Sequence, residues 1–332
     1  MSSPMSSIIR EAKRVKNEPL NILTCPTHER YESGLCLTGH NFYAYRAEGI
    51  KDWNTKYAPL PKNYTLLDPN MGEDQVPSFV DFDLVLSQNK FGQFQALYPI
   101  ARKMNVPLIS LEHTLPVPQW NDHQLYRLGK ARGNINVFIS EYSIDQWKWK
   151  SHNDTTVIHH MVDTDIFCPI EPTHPRNHHI LSVVNDWINR DYCCNFKGWE
   201  RITQGLPVKV LGDTPGLSDP ATQTELVEAY RSSLIFLNTS TVSPIPTVLL
   251  EAMACGCACV STATCMIPEI IEDGVNGFIS NDEKVLREKC QLLLNDVDLA
   301  KNMGDRAAQT VQQKFNKNNF IDKWNQVFRS VL

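Results

Sequence analysis

The chain alternates short apolar runs with stretches whose apolar positions recur every three to four residues. "LNILTC" (20–25), "FDLVLSQ" (82–88), "VPLISLEH" (106–113) and "INVFIS" (135–140) are too short for helices and are bounded by polar turns, so they read as buried strands. "PTHERYESGLCLTG" (26–39) reads as a polar loop and "QFQALYPIARKMN" (93–105) as a helix. The aromatic "HNFYAYR" (40–46) reads either as core or as the wall of a pocket.

The alternation restarts further on. "HILSVVN" (179–185), "PVKVLGD" (207–213), "LIFLNTS" (234–240), "CACVST" (257–262) and "GFIS" (277–280) are the expected strands. "KGWERITQ" (197–204), "ATQTELVEAYRSS" (221–233), "PTVLLEAMACG" (246–256) and "IPEIIEDG" (267–274) are the expected helices, with Gly256 able to end its helix in the left-handed conformation. Residues 283–331 read as mostly helical.

Strands that alternate with helices argue for parallel sheets covered on both faces. The expected fold class is therefore α/β, with two Rossmann-like doubly wound domains in tandem. In such folds ligands bind at the carboxyl ends of the strands, here facing an interdomain cleft. The stiff, polar "CPIEPTHPRNHH" (168–179) supplies the boundary. The expected division is residues 1–167, a linker at 168–178, a second domain at 179–315, and a C-terminal helix at 316–332 packing back on the first domain. Phe320, Trp324 and Phe328 share one face of that helix, which reads as a brace and not as a ligand site.

Composition excludes several classes. A hydrophobic fraction of 42% with 21% charged residues is that of a globular protein. No stretch approaches the roughly 18 apolar residues that span a bilayer. Ile8, Ile9, Ala12 and Val15, interleaved with Arg10, Lys13, Arg14 and Lys16, fit either a frayed terminal turn, the expectation, or a basic helix in weak contact with a membrane surface. A net charge of −5 gives no global field for nucleic acid. The ten cysteines, with no secretory signal evident, point to reduced thiols in a cytoplasmic protein. Cys255, Cys257 and Cys259 are spaced by single residues, which suits no common zinc template, so they read as helix–strand packing. No metal site is expected. Asp81 and Asp83, and Asp163 and Asp165, form Asp-x-Asp strings that read as structural, and His159-His160 and His178-His179 read as connector residues.

The most specific segment is "SPIPTVLLEAMACGCACVSTATCMIPEIIEDGVNGFIS" (243–280). Pro244 to Val248 lead into a helix whose first N–H groups and positive dipole end suit an anion, and Pro246 fits there because its missing N–H costs nothing. The segment resembles the donor-binding region of retaining glycosyltransferases with the GT-B fold, of the family-four kind. "LLEAMACG", "IPEIIEDGVNGF" and the spacing between them carry the resemblance, which extends weakly to "VDTDIFCP" and "NFKGWERI". It implies that Ser243, Pro244, Ile245, Pro246, Thr247 and Val248 bind a donor and that Glu251 accepts from its ribose hydroxyls. It also implies that Arg190 and Lys197, otherwise ordinary surface charges, neutralise a departing diphosphate, and that His113, ending a strand, contacts the donor sugar. His28, Arg30 and Glu32, in the loop after the first strand, are the acceptor-loop candidates. Two departures stand out: Ser243 replaces the first carboxylate of the Glu-x7-Glu pair, and Cys265-Met266 replaces a Gly-Gly.

The resemblance implies a retaining, metal-independent hexosyltransferase-like enzyme. It would move sugar from a nucleotide-diphosphate sugar, with a UDP-sugar the expected co-substrate and no other cofactor, to an acceptor hydroxyl. A glycan, lipid-linked or small-molecule acceptor is expected; a modified DNA base is the further option, resting on Arg30, Tyr31, Arg46 and the basic N-terminal stretch. Ser243 motivates the alternative of a catalytically degenerate sugar-nucleotide-binding protein, and a sugar-nucleotide epimerase is a further alternative.

Overall fold

The structure is a computed structural model and describes residues 18–89, 92–150, 153–169, 175–218 and 220–332. The strands among them are β1 (Asn21–Thr24), β2 (Asn41–Ala44), β3 (Tyr64–Leu66), β4 (Leu84–Ser87), β5 (Leu108–Glu112), β6 (Ile135–Phe138), β7 (Thr155–Val157), β8 (Asn177–Val183), β9 (Val208–Leu211), β10 (Ser233–Asn238), β11 (Ala258–Ser261) and β12 (Phe278–Ile279). The helices are α1 (Glu29–Cys36), α2 (Gln93–Met104), α3 (Asp122–Leu128), α4 (Glu141–Gln146), α5 (Asp191–Cys194), α6 (Phe196–Thr203), α7 (Gln223–Ser232), α8 (Thr247–Ala254), α9 (Ile267–Ile270), α10 (Glu283–Asn295), α11 (Val297–Lys314) and α12 (Lys317–Ser330).

All pairings between these strands are parallel, in a seven-stranded sheet of order β3-β2-β1-β4-β5-β6-β7 and a five-stranded sheet of order β12-β11-β10-β8-β9. In the first sheet the order reverses between β1 and β4, and in the second between β8 and β10. Loops leaving the carboxyl ends of strands at such a reversal diverge and open a crevice. Residues 25–28 and 88–89 flank the first crevice, and residues 184–190 and 239–246 the second.

The two sheets belong to separate compact units: residues up to His159 together with Asn318–Leu332, and His160–Lys317. The division therefore falls earlier than residue 167. Val162 and Phe167 are buried in the core of the second unit, and the Val162 N–H donates to the Phe315 carbonyl at 3.2 Å. The proline-rich 168–178 follows that division, and its residues 170–174 lie outside those described. Arg176 is anchored inside the second unit by the carbonyls of Tyr230, Ser233 and Cys255, and β8 begins at Asn177.

Strands β4, β10 and β11 are buried at every position, as parallel strands covered on both faces must be. In the second unit Leu181, Phe236, Cys257 and Cys259 pack with Leu249, Leu250 and Met253 of α8 on one side of the sheet. Ala258 and Val260 alternate to the opposite side, against Trp187, Trp199 and Leu286. The cysteines of 255–259 are thus core side chains, and Gly256 takes the expected left-handed conformation at φ 78°. In the first unit α12 buries Phe320, Trp324 and Phe328, with Trp324 donating its indole N–H to the Tyr31 hydroxyl at 3.1 Å. "HNFYAYR" forms β2 and buries Phe42 and Ala44. The segment read as a polar loop contains α1.

Candidate functional site

The edge of the second sheet is built from four loops. After β8 the chain turns through Asp186, which is left-handed at φ 48° and donates its N–H to Asp213 Oδ1 at 2.7 Å. Trp187 N–H reaches Thr214 Oγ1 at 2.9 Å, so the loops after β8 and β9 lie against one another. Gly212 permits that approach, because a Cβ there would stand 2.0 Å from the Val184 carbonyl oxygen. Arg190 precedes α5 and is exposed, with Nη1 donating to the Asn185 carbonyl at 3.3 Å. Asn195 caps α6 by accepting the Gly198 N–H at 3.1 Å, and Gly198 has no Cβ to collide with the Asn195 side chain. The first turn so fixed carries Lys197, whose side chain is exposed.

The loop after β10 is sewn to its neighbours. Thr241 N–H donates to the Cys193 carbonyl at 2.8 Å and the Thr239 hydroxyl to the Cys194 carbonyl at 2.9 Å. The hydroxyls of Thr262 and Thr264, after β11, donate to the Ser240 carbonyl, and Met266 N–H reaches the Pro244 carbonyl at 3.3 Å. Arg190, Lys197, Ser243 and the start of α8 are therefore carried on one knitted edge.

The donor-segment residues are not equally available there. Ser243, Thr247 and Val248 are half-exposed, whereas Pro244, Ile245 and Pro246 are buried. The Ile245 side chain belongs to the core of the unit. Pro246 stands one position before α8, not in its first turn. The amide groups opening α8 follow it, at the positive end of the helix dipole. Glu251 is only 2% exposed and accepts the Tyr230 hydroxyl at 3.1 Å through Oε2, so its carboxylate is set before any ligand arrives.

The edge of the first sheet is polar in a different way. Glu32 is 1% exposed and gathers the N–H groups of Thr27 and His28 at 2.8 and 3.0 Å, the Gln88 amide at 2.8 Å and the Tyr64 hydroxyl. It therefore shapes the loop from within. Burial raises its pKa, and these donors oppose the rise. His28 precedes α1; burial, then the charges of Arg30 and Lys51, push its pKa down to about 4. Arg30 is half-exposed on α1. His113 follows β5, with Nε2 3.1 Å from Gln88 Oε1, the edge of Tyr31 at 4.5 Å between centroids and the His28 ring stacked at 6.3 Å. His28, His113 and Glu32 are thus gathered around Gln88, at the crevice between β1 and β4.

Comparison with known proteins bears on this geometry. Residues 219–310 match the family of glycosyl transferases group 1, a span that includes α8 and its Glu251. The chain is 32% identical over 112 residues to N-acetyl-alpha-D-glucosaminyl L-malate synthase of Bacillus anthracis, a match covering 33% of this chain and 29% of that protein. It thus matches about three-tenths of the length of that curated relative. Solved structures resemble the whole chain in fold. Sucrose-phosphate synthase from Thermosynechococcus elongatus superposes with a TM-score of 0.70 at 14% identity, over 94% of this chain and 98% of that one. HepE of Anabaena, solved in complex with UDP-glucose, superposes with a TM-score of 0.69 at 16% identity, over 94% and 100%. The fold is that of the GT-B glycosyltransferases.

Two residues near α8 had no assigned part. His160, grouped with the connector histidines, is 6% exposed, with Nδ1 3.4 Å from Thr247 Oγ1 at the start of α8. Tyr230 was only one apolar position of α7, yet it holds Glu251. Neither carried a signal in the sequence, because burial and these partners arise only in the fold. The Asp-x-Asp strings are structural in their contacts. Asp83 accepts the Asn21 N–H at 2.8 Å, while Asp163 accepts the Asp165 N–H at 3.1 Å and stands 3.5 Å from Lys317 Nζ. No helix among the described residues is long and apolar enough to cross a membrane, and the basic stretch 8–16 lies outside them.

Proposed function

We propose that the chain is a retaining, metal-independent glycosyltransferase taking a nucleotide-diphosphate sugar, with a UDP-sugar as donor. The observation that carries this reading is the knitted edge of the second unit, which presents two exposed cations, Arg190 and Lys197, beside the start of α8 in the group 1 segment. A diphosphate leaving group gains negative charge as its bond to the sugar breaks. Fixed cations and amides at that position stabilise it most when the charge is fully developed. Glu251, held by Tyr230, is assigned the ribose hydroxyls, and Ser243 to Val248 the rest of the donor, Ile245 through its backbone alone. HepE was solved with UDP-glucose, which supports the choice of donor to test first.

In the proposed reaction the bond between the anomeric carbon and the diphosphate oxygen breaks. The acceptor hydroxyl bonds to that carbon from the same face, and its proton passes to the departing phosphate oxygen, so configuration is retained. His113 is assigned a hydroxyl of the transferred sugar, and His28 and Arg30 the acceptor, which is a glycan, a lipid-linked sugar or a small molecule. A reducing, cytoplasmic setting suits buried thiols such as Cys25, Cys255, Cys257 and Cys259.

Calorimetry with UDP-glucose, followed by product analysis with a panel of hydroxyl acceptors in the presence of a chelator, tests the reading. Binding followed by chelator-insensitive transfer with retention is the expected result. Binding without turnover on any acceptor would favour the degenerate sugar-nucleotide binder that Ser243 suggests, and conversion of donor without acceptor would favour an epimerase.

A further inference from the structure

Gln88, which had no part in the sequence reading, is fully buried one residue past β4, beside the crevice of the first sheet. Its amide nitrogen faces three oxygens: Glu32 Oε1 at 2.8 Å, Thr24 Oγ1 at 3.2 Å and the Cys25 carbonyl at 3.2 Å. A carbonyl oxygen can only accept, and so can an ionised carboxylate. The end of the amide that meets them must therefore be the NH2 group. The orientation of Gln88 is fixed by this chemistry, and its oxygen is left pointing the other way, 3.1 Å from His113 Nε2.

An amide oxygen has no proton to give, so the imidazole nitrogen facing it must carry one. In the neutral ring the remaining nitrogen, Nδ1, is then a bare acceptor. The surroundings hold the ring in this pose. Tyr31 meets it edge-on at 4.5 Å, and Tyr31 is itself held by the Trp324 indole at 3.1 Å. Gln88 is braced in turn through its backbone, whose N–H donates to Gln93 Oε1 at 3.1 Å, while Gln93 Nε2 donates to the Thr27 hydroxyl.

We propose that Gln88 is a positioning residue that fixes His113 in the Nε2–H tautomer, so that Nδ1 selects a hydroxyl donor on the sugar. Glu32 is the anchor that orients Gln88. The tautomer assignment stands on these contacts alone, whereas the hydroxyl ligand rests on the glycosyltransferase reading.

The test is a long-range 1H–15N correlation spectrum of the 15N-labelled full chain at neutral to mildly alkaline pH, with His113 assigned from the signal lost in His113→Asn. The expected spectrum has one His113 tautomer, with Nε2 protonated and Nδ1 bare. A wild-type spectrum with Nδ1 protonated overturns the proposal, whether or not any variant folds. In Gln88→Met, which keeps the volume and loses the oxygen, both tautomers should be populated; a folded Gln88→Met retaining the single wild-type tautomer overturns the proposal as well. Titration of the wild type with UDP-glucose should then move the Nδ1 resonance. If the tautomer is as expected and Nδ1 ignores UDP-glucose, the sugar assignment fails while the role of Gln88 stands. Where turnover is measured, Gln88→Met should lower kcat/KM about tenfold, the loss of one hydrogen bond to a ligand.

Discussion

Arg190 and Lys197 stand in water at the carboxyl edge of the second sheet, whereas Glu32 and Gln88 are withdrawn from it at the corresponding edge of the first. In the second unit the backbone is locked and the cations stay exposed: Asn195 caps α6, the Cys193 and Cys194 carbonyls take the β10 loop, and no ion pair among the described residues engages Lys197. In the first unit the side chains themselves are locked, each polar atom of Gln88 meeting another polar group. The contrast matches the ligand each edge is proposed to meet. A diphosphate brings its own charge and needs mobile water replaced by cations. A sugar hydroxyl brings no charge, so what discriminates it is which atom is donor and which acceptor.

Removing a cation should therefore hurt catalysis while sparing the fold. Lys197→Ala is expected to lower kcat by a factor on the order of 10²–10³, with stability changed by no more than about 0.5 kcal/mol. Steady-state kinetics beside a thermal melt checks both, and a folded variant with full activity breaks the comparison. Removing the locked backbone should do the reverse. Gly212 has φ 137°, and a Cβ there would stand 2.0 Å from the Val184 oxygen, so Gly212→Ala forces the β8 and β9 loops apart. The expected loss is on the order of 3 kcal/mol by chemical denaturation. Affinity for UDP should fall with it, because the β8 loop leads directly into Arg190.

The same contrast explains what the sequence could be read for. The second unit was legible because β10 and β11 are continuous buried runs and the segment that carries the family resemblance keeps local spacing from Pro246 through Glu251 to Glu269. In the first unit "NFYA", "YTL" and "TTV" are short strands with half-exposed positions, and no alternation flagged them. α1 was hidden because it buries Glu29 and Glu32 beside Tyr31 and Leu35, which defeats an apolar-face criterion. His113 was singled out by its place at a strand end. Gln88 occupies the equivalent place after β4, but an uncharged amide announces no chemistry until its partners are known. The division near residue 160 was missed because prolines mark stiffness and not the limit of a core, and Val162 and Phe167 lie within the second core.

The buried character of the first edge predicts an acid sensitivity. His28 titrates near 4 in the folded chain, against an ordinary value of 6.5, because burial and the charges of Arg30 and Lys51 disfavour its cation. The unfolded chain thus takes up the proton first as pH falls. The contribution of His28 is complete above 6.5, declines from there towards 4, and is then exhausted. The upper bound of that loss is about 3 kcal/mol. Denaturation of wild type and His28→Asn across pH 7 to 4 should show the two stability curves converging as the pH drops. Curves that stay parallel would show that the histidine is solvated.

A smaller effect is expected where the lock is only braced. Tyr31→Phe keeps the aromatic edge that meets His113 at 4.5 Å and removes the oxygen that accepts the Trp324 indole N–H at 3.1 Å. Trp324 is fully buried, so its N–H would be left without that partner, at a cost of about 1–2 kcal/mol in stability. The ring surface around His113 is unchanged, so kcat/KM should move by no more than a few-fold. Tyr31→Leu retains bulk but loses the ring edge, and it should cost more activity than Tyr31→Phe at similar stability. If the two variants are equally active, His113 is held by Gln88 alone, and α12 serves the first unit only as core.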